Sequence, residues 1–274
     1  MLLAAHAFLP IEIAGACGFH RRGVVRIMLG RKTFSVFAAL IFFIVAAFAV
    51  SAMTAATSDK NALVNSEKVR VETPLNLAIL VQDDLVSRVG NELDVTRDFI
   101  RSLPAGSRVM IAYVRAGSLQ VRQPFTNDLD KAAKSLRVPV GSEDAAPYNP
   151  YVEVVEALRK FETGGKNHNA LLLISDGLDT SHGFDIDSAA NTIDLLHAIK
   201  EAQKRNVTIY SFYAPTVGLT SWNHRAIDYG QSSLNRLSNE TGGRAFFQGT
   251  DFVTFDSYFD RLRQALNEQY ARAY

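Results

Sequence analysis

From Thr73 onward, short unbroken apolar runs alternate with stretches of helical period. Leu75–Val81 (LNLAILV) and Ala170–Ser175 (ALLLIS) have the continuous hydrophobicity of strands buried on both faces. Arg108–Arg115 (RVMIAYVR) and Leu119–Phe125 (LQVRQPF) flank the Ala116-Gly117 turn and predict an antiparallel hairpin. Asn91–Leu103 sets Leu93, Phe99, Ile100 and Leu103 near one helical face, and Asp128–Leu136, Tyr151–Phe161 and Ile193–Arg205 also read as helices. Val207–Tyr213 (VTIYSFY) is a further strand. Gln231–Thr241 predicts a helix closed by Gly242-Gly243, then a strand at Arg244–Phe247 and a last helix from about Phe255 to Tyr270. This alternation means an α/β sheet covered by helices on both faces, in one domain over 73–274 without internal repeats.

Ahead of that domain the pattern is different. Phe34–Val50 (FSVFAALIFFIVAAFAV) is apolar and uncharged, with Arg31 and Lys32 before it and small residues from Ser51 to Ala56 after it. A basic flank, an apolar centre and small residues beyond make an export signal. Residues 1–53 thus read as an N-terminal extension plus a signal peptide or uncleaved signal anchor. Met28 could itself begin a conventional signal. Arg31 and Lys32 stay on the cytoplasmic side, so the body is periplasmic or extracellular. If uncleaved, residues 34–53 associate it with the inner membrane. Residues 54–72 are polar and read as a linker.

Composition narrows the class. The chain has 274 residues, 47% hydrophobic and 21% charged, which suits a globular protein and excludes a disordered one. Five basic groups fall within residues 1–32, leaving a body with 24 basic and 27 acidic residues. With that balance and no Lys/Arg stripe, nucleic-acid binding is not expected. Cys17 is the sole cysteine, which excludes an intramolecular disulfide and a thiolate metal cluster.

In such sheets ligands gather beyond the carboxyl ends of the strands. The loops there hold Gln82-Asp83-Asp84-Leu85-Val86-Ser87, Tyr148-Asn149-Pro150, Ser175-Asp176-Gly177-Leu178-Asp179 and Ala214–Tyr229. Converging carboxylates and hydroxyls make a hard-oxygen pocket suited to Mg²⁺ or Ca²⁺. The plainer reading is that these Asp residues cap helices and shape turns.

The segments LNLAILVQDD (Leu75–Asp84) and ISDGLD (Ile174–Asp179) resemble the first and fourth strands of a von Willebrand factor type A (vWFA) domain, particularly the exported bacterial vWFA-related proteins. GSRVMIAYVR (Gly106–Arg115), PFTNDLDKAAKSL (Pro124–Leu136) and NRLSNETGGRAFF (Asn235–Phe247) match in order. The resemblance implies a three-layer, doubly wound, mostly parallel six-stranded sheet with one antiparallel edge strand. It also implies a metal-ion-dependent adhesion site holding Mg²⁺ (or Ca²⁺ or Mn²⁺). The family's site uses Asp-x-Ser-x-Ser after the first strand, a Thr before a middle helix and an Asp after the fourth strand. Asp176 fits the last position. Alignment by the strand end puts Gln82, Asp84 and Val86 in the first motif, whereas a one-residue slip gives Asp83, Leu85 and Ser87. Asn149 falls near the Thr position. The metal-facing candidates are therefore Asp83, Asp84, Ser87, Asn149 and Asp176.

Aromatic residues crowd the same loops. Tyr148, Tyr151, Trp222 and Tyr229, with His224 among them, are candidates for contact with a protein partner, since Tyr and Trp dominate protein interfaces. The alternative is that they roof the core. Two functions follow. The first is a non-catalytic, exported binding module that docks a protein at this rim, through a divalent cation or through the aromatic residues alone. The second is a Mg²⁺-dependent hydrolase or phosphotransferase using Asp83, Asp84 and Asp176. No phosphate-binding Gly-rich loop and no Gly-x-Ser-x-Gly elbow supports catalysis.

Overall fold

The computed structural model describes residues 69–162, 167–181, 183, 192–247 and 254–273, so the export segment and most of the expected linker lie outside the described residues. Six strands form one sheet: β1 (Leu75–Gln82), β2 (Arg108–Arg115), β3 (Ser118–Thr126), β4 (His168–Ser175), β5 (Val207–Tyr213) and β6 (Ala245–Phe246). Their spatial order is β3-β2-β1-β4-β5-β6. Only β3 runs antiparallel; every other pairing is parallel. The sheet expected from the resemblance is present, including its antiparallel edge.

Among the described residues six α-helices cover it: α1 (Leu93–Arg101), α2 (Leu129–Ser135), α3 (Pro150–Leu158), α4 (Ile193–Lys204), α5 (His224–Glu240) and α6 (Phe255–Ala273). Side chains alternate across a strand, so each strand feeds two cores. Leu77, Ile79 and Val81 of β1 and Tyr210 and Phe212 of β5 pack with Phe99 and Ile100 of α1 and with Phe255, Tyr258 and Phe259 of α6. Ala78 and Leu80 of β1, with Leu171 and Leu173 of β4, face the other way, onto Val154 and Leu158 of α3, Leu195 and Ile199 of α4 and Leu234 and Leu237 of α5. The described domain is thus three layers with both sheet faces closed, which explains the absence of alternation in β1 and β4.

Local chemistry sets the helix starts. Asn149 accepts from the Tyr151 backbone N–H at 3.1 Å, and Pro150 occupies the first helical position, where its missing N–H costs nothing. Asn223 caps α5 by accepting from Arg225 and Ala226. Helix α5 accordingly begins seven residues before the expected Gln231. The stretch Ala214–Tyr229, expected as one loop, is loop only to Asn223. Gly230 had disguised the helix, because glycine disfavours helix interiors by about 1 kcal/mol.

Candidate functional site

The parity of β1 decides what its end presents. Gln82 and Asp84 continue the face of Leu80, towards α3, whereas Asp83 continues the face of Val81. Asp83 is fully buried there, and Arg137 donates to both of its carboxylate oxygens at 2.6 and 2.8 Å. The Val140 backbone N–H adds a bond at 3.0 Å, and Arg115 stands 3.5 Å away. The Arg137 guanidinium lies 4.0 Å from the centre of the Tyr113 ring, whose hydroxyl donates to the Arg137 carbonyl. These contacts tie the segment after α2 to the end of β1. Nothing in the sequence marked Arg137, which is 54 positions from Asp83.

On the opposite face a cavity of about 340 Å³ opens beyond the carboxyl ends of β1, β4 and β5. Gln82, Asp84 and Asp176 lie in its wall with Thr216, and Tyr148 and Trp222 stand at its mouth. The Ser175 hydroxyl donates to Gln82 Oε1 at 2.5 Å and accepts from the Gly177 N–H at 2.9 Å, locking the β4 turn to β1. Asp176 accepts three hydrogen bonds: Oδ1 from the Leu178 N–H at 3.1 Å, and Oδ2 from the Thr220 and Thr216 hydroxyls at 2.9 and 3.2 Å. Thr216 and Thr220 were missed from the sequence, because two threonines in a loop carry no pattern. Their segment is strapped to the β1 loop by the Val86 N–H to Pro215 carbonyl and Val217 N–H to Asp84 carbonyl bonds, both 3.0 Å.

Asp84 differs from both neighbours. It is 3% exposed, and its Oδ1 is buried with no hydrogen-bond partner among the described residues. Burial first, then the nearby Asp176 charge, pushes its carboxyl up to about 7. Burial likewise raises Asp176 above the ordinary carboxylate range.

The other candidates sit elsewhere. Ser87 is exposed on a short 3₁₀ helix at Ser87–Glu92, and Asn149 is spent on the α3 cap and on Asp194, to which it donates at 2.6 Å; neither lines the cavity. Tyr151 is fully buried, its hydroxyl donating to the Gly177 carbonyl at 2.6 Å. Tyr229 packs with Leu178 and Ala226, and His224 is exposed at the first turn of α5, outside the cavity lining. Tyr148 and Trp222 are the aromatic pair at the pocket, 65% and 68% exposed. Tyr148 adopts a left-handed backbone (φ 54°), held by the Thr180 N–H on its carbonyl at 2.6 Å. A non-glycine residue in that region carries strain.

The implied metal can be tested against these donors. The position of the family's leading carboxylate is Gln82, whose carbonyl oxygen is taken by Ser175 and whose amide lowers the carboxyls of Asp84 and Asp176 by hydrogen bonding. A neutral amide in place of the leading carboxylate removes one anionic ligand and occupies acceptor positions that a metal ion would need. The Val86 side chain supplies no oxygen at the second serine position, and Asp176 already accepts three hydrogen bonds. Among the described residues no group of three or more His, Cys, Asp or Glu could hold a metal ion. The residues present do not supply the donor set that the resemblance implies.

No family model and no curated protein matches the chain. Solved structures do. A conserved hypothetical protein, BatB from Bacteroides thetaiotaomicron, is similar at 13% identity, with 72% of this chain and 99% of that one covered and a TM-score of 0.50. An aerotolerance-related membrane protein from Bacteroides fragilis is similar at 12% identity, covering 71% and 99%, also at 0.50. The SpRpn10 VWA domain matches at 12% identity over 67% of this chain and 93% of that one, with a TM-score of 0.40. At such identities the likeness is one of fold, and function has to be argued from the site.

Proposed function

We propose that this chain, whose fold is of the vWFA type, is a non-catalytic module that docks a protein partner at the cavity beyond the carboxyl ends of β1, β4 and β5. The observation that carries this is the pairing of two largely exposed aromatic residues, Tyr148 and Trp222, with a buried polar floor in one concave site. Exposed Tyr and Trp beside a desolvated pocket have the composition of an interaction hot spot. The reading takes the domain to be exported, and tethered where Phe34–Val50 is retained as an anchor. It does not require a divalent ion, because the aromatic rim and the Asp84 acceptor suffice for contact. Catalysis is disfavoured by the state of the acids: Asp83 is spent on Arg137 and Asp176 on Thr216, Thr220 and Leu178, leaving no pair to share an acid–base task.

The test is photo-crosslinking of the full chain in its own cells. A photoreactive phenylalanine replaces Tyr148 or Trp222, with exposed Ala105, just before β2 at the opposite end of the sheet, as control. Discrete protein adducts from 148 and 222, and none from 105, are expected. Adducts from 105 alone, or none from the rim, would overturn the assignment.

A further inference from the structure

The wall of the cavity carries Asp84, Asp176 and Glu143, and among the described residues none that lines it is basic. Two of the three acids have an outlet for their charge: Asp176 is filled by protein donors, and Glu143 is exposed to solvent. Asp84 Oδ1 has neither. A buried carboxylate oxygen without a donor is costly, and an incoming donor recovers that cost. The largely exposed Tyr148 and Trp222 line the same cavity, and the π faces of such rings attract cations, Trp most strongly. The cavity has room for on the order of ten waters, or for one long side chain and part of its hydration.

We propose that this pocket takes a cationic side chain of the partner, a lysine ammonium or an arginine guanidinium, against the Asp84 carboxylate and the rings of Tyr148 and Trp222. The proposal rests on the reading of the cavity as the docking site and names the chemistry of what docks. It inverts what a metal-centred site would select. With a bound cation at the floor, an acidic group completes the coordination shell; with Gln82 there instead, an acidic group meets only carboxylates and is repelled. A cation beside Asp84 also replaces the proton that burial and Asp176 favour on it.

Trp222 is the sole tryptophan of the chain, so its emission reports this pocket without labelling. The full chain is titrated with end-blocked peptides Gly-Gly-Lys-Gly-Gly, Gly-Gly-Arg-Gly-Gly and Gly-Gly-Glu-Gly-Gly, each with and without Mg²⁺. Saturable emission changes are expected with the Lys or Arg peptide at millimolar concentration, weakening with salt, and absent with the Glu peptide in either condition. Asp84→Asn weakens the cationic peptide about tenfold, and Glu143→Gln, on the exposed rim, weakens it in the same direction without touching the folded interior. A response to the Glu peptide that depends on Mg²⁺, a cationic response indifferent to both variants, or no response to either cationic peptide would overturn the inference. Rim crosslinks obtained alongside any of those results leave the docking site standing and remove only the cationic guest.

Discussion

The Asp176 carbonyl oxygen packs against the α-carbon of Gly230 so closely that no Cβ fits at position 230. The approach is reciprocal. Gly177 has φ 70°, and a Cβ there would run into the Gly230 carbonyl and the Leu234 side chain. The turn carrying Asp176 is therefore seated directly on the backbone of α5, which fixes where the carboxylate meets Thr216 and Thr220. The helix-disfavouring glycine is kept because the site requires contact at that point.

Gly230→Ala follows from that contact. The added methyl must displace either the β4 turn or α5, an overpacking cost of about 2–3 kcal/mol. The thermal midpoint is expected to fall by several degrees, and Trp222 emission to change with it. Gly117→Ala is the comparison: Gly117 is left-handed (φ 74°), but no atom lies within 4 Å of its Cβ, so the variant bears backbone strain alone and leaves the emission unchanged.

Arg137 and Asp83 give a second expectation. Removing the guanidinium leaves Asp83 buried with its charge largely uncompensated, which costs about 3–5 kcal/mol. Arg137→Ala should therefore destabilise far more than the double variant Arg137→Ala with Asp83→Asn. Denaturant unfolding of the four-member cycle measures the coupling. Equal losses in the single and double variants would mean that Asp83 gains nothing from its partner.

Glu153 of α3 sets a pH dependence. Both of its carboxylate oxygens are buried without a hydrogen bond among the described residues, and burial pushes it from 4.5 up to about 7. The folded state then holds the proton more tightly than the unfolded one, so the contribution of Glu153 to stability falls as pH rises from about 4.5 to about 7 and stays low above it. Glu153→Gln should raise the unfolding free energy by about 1–3 kcal/mol at pH 8 and by almost nothing near pH 4. Melting curves of both proteins at the two pH values check this, and a gain confined to the acid side would reverse the sign.

Divalent ions provide a fourth expectation. A ligand that binds only the native state raises the melting temperature by mass action. After EDTA treatment, Mg²⁺, Ca²⁺ and Mn²⁺ at millimolar concentration are expected to leave the midpoint of the full chain within the general salt effect. A saturable rise that disappears in Asp84→Asn would show that Asp84 has rebuilt a metal site around Gln82.

Much of the architecture was legible because burial on both faces writes itself as unbroken apolar runs: Leu75–Val81, Ala170–Ser175 and Val207–Tyr213 all emerge as strands of the sheet. The hairpin about Ala116-Gly117 was equally plain, since both residues have the positive φ such a turn needs. The site was legible only in outline. Gln82-Asp83-Asp84 offers adjacent acids that a sequence cannot assign to faces until the last paired residue of β1 is known. That end lies at Gln82, so Asp84 goes to the cavity and Asp83 to Arg137. Thr216, Thr220 and Arg137 act through contacts between distant segments and leave no local signature. Helix α5 was hidden by Gly230, whose presence answers to Asp176 across the layer rather than to the helix.

The most direct test of the account joins its rim to its floor. Crosslinking yield from a photoreactive phenylalanine at position 148 is measured in cells for the otherwise native chain and for one also carrying Asp84→Asn, with protein levels matched. A severalfold lower yield of the partner adduct in the Asp84→Asn chain is the result predicted. Equal yields would show that the partner, if it touches Tyr148 at all, does not use the carboxylate beneath it.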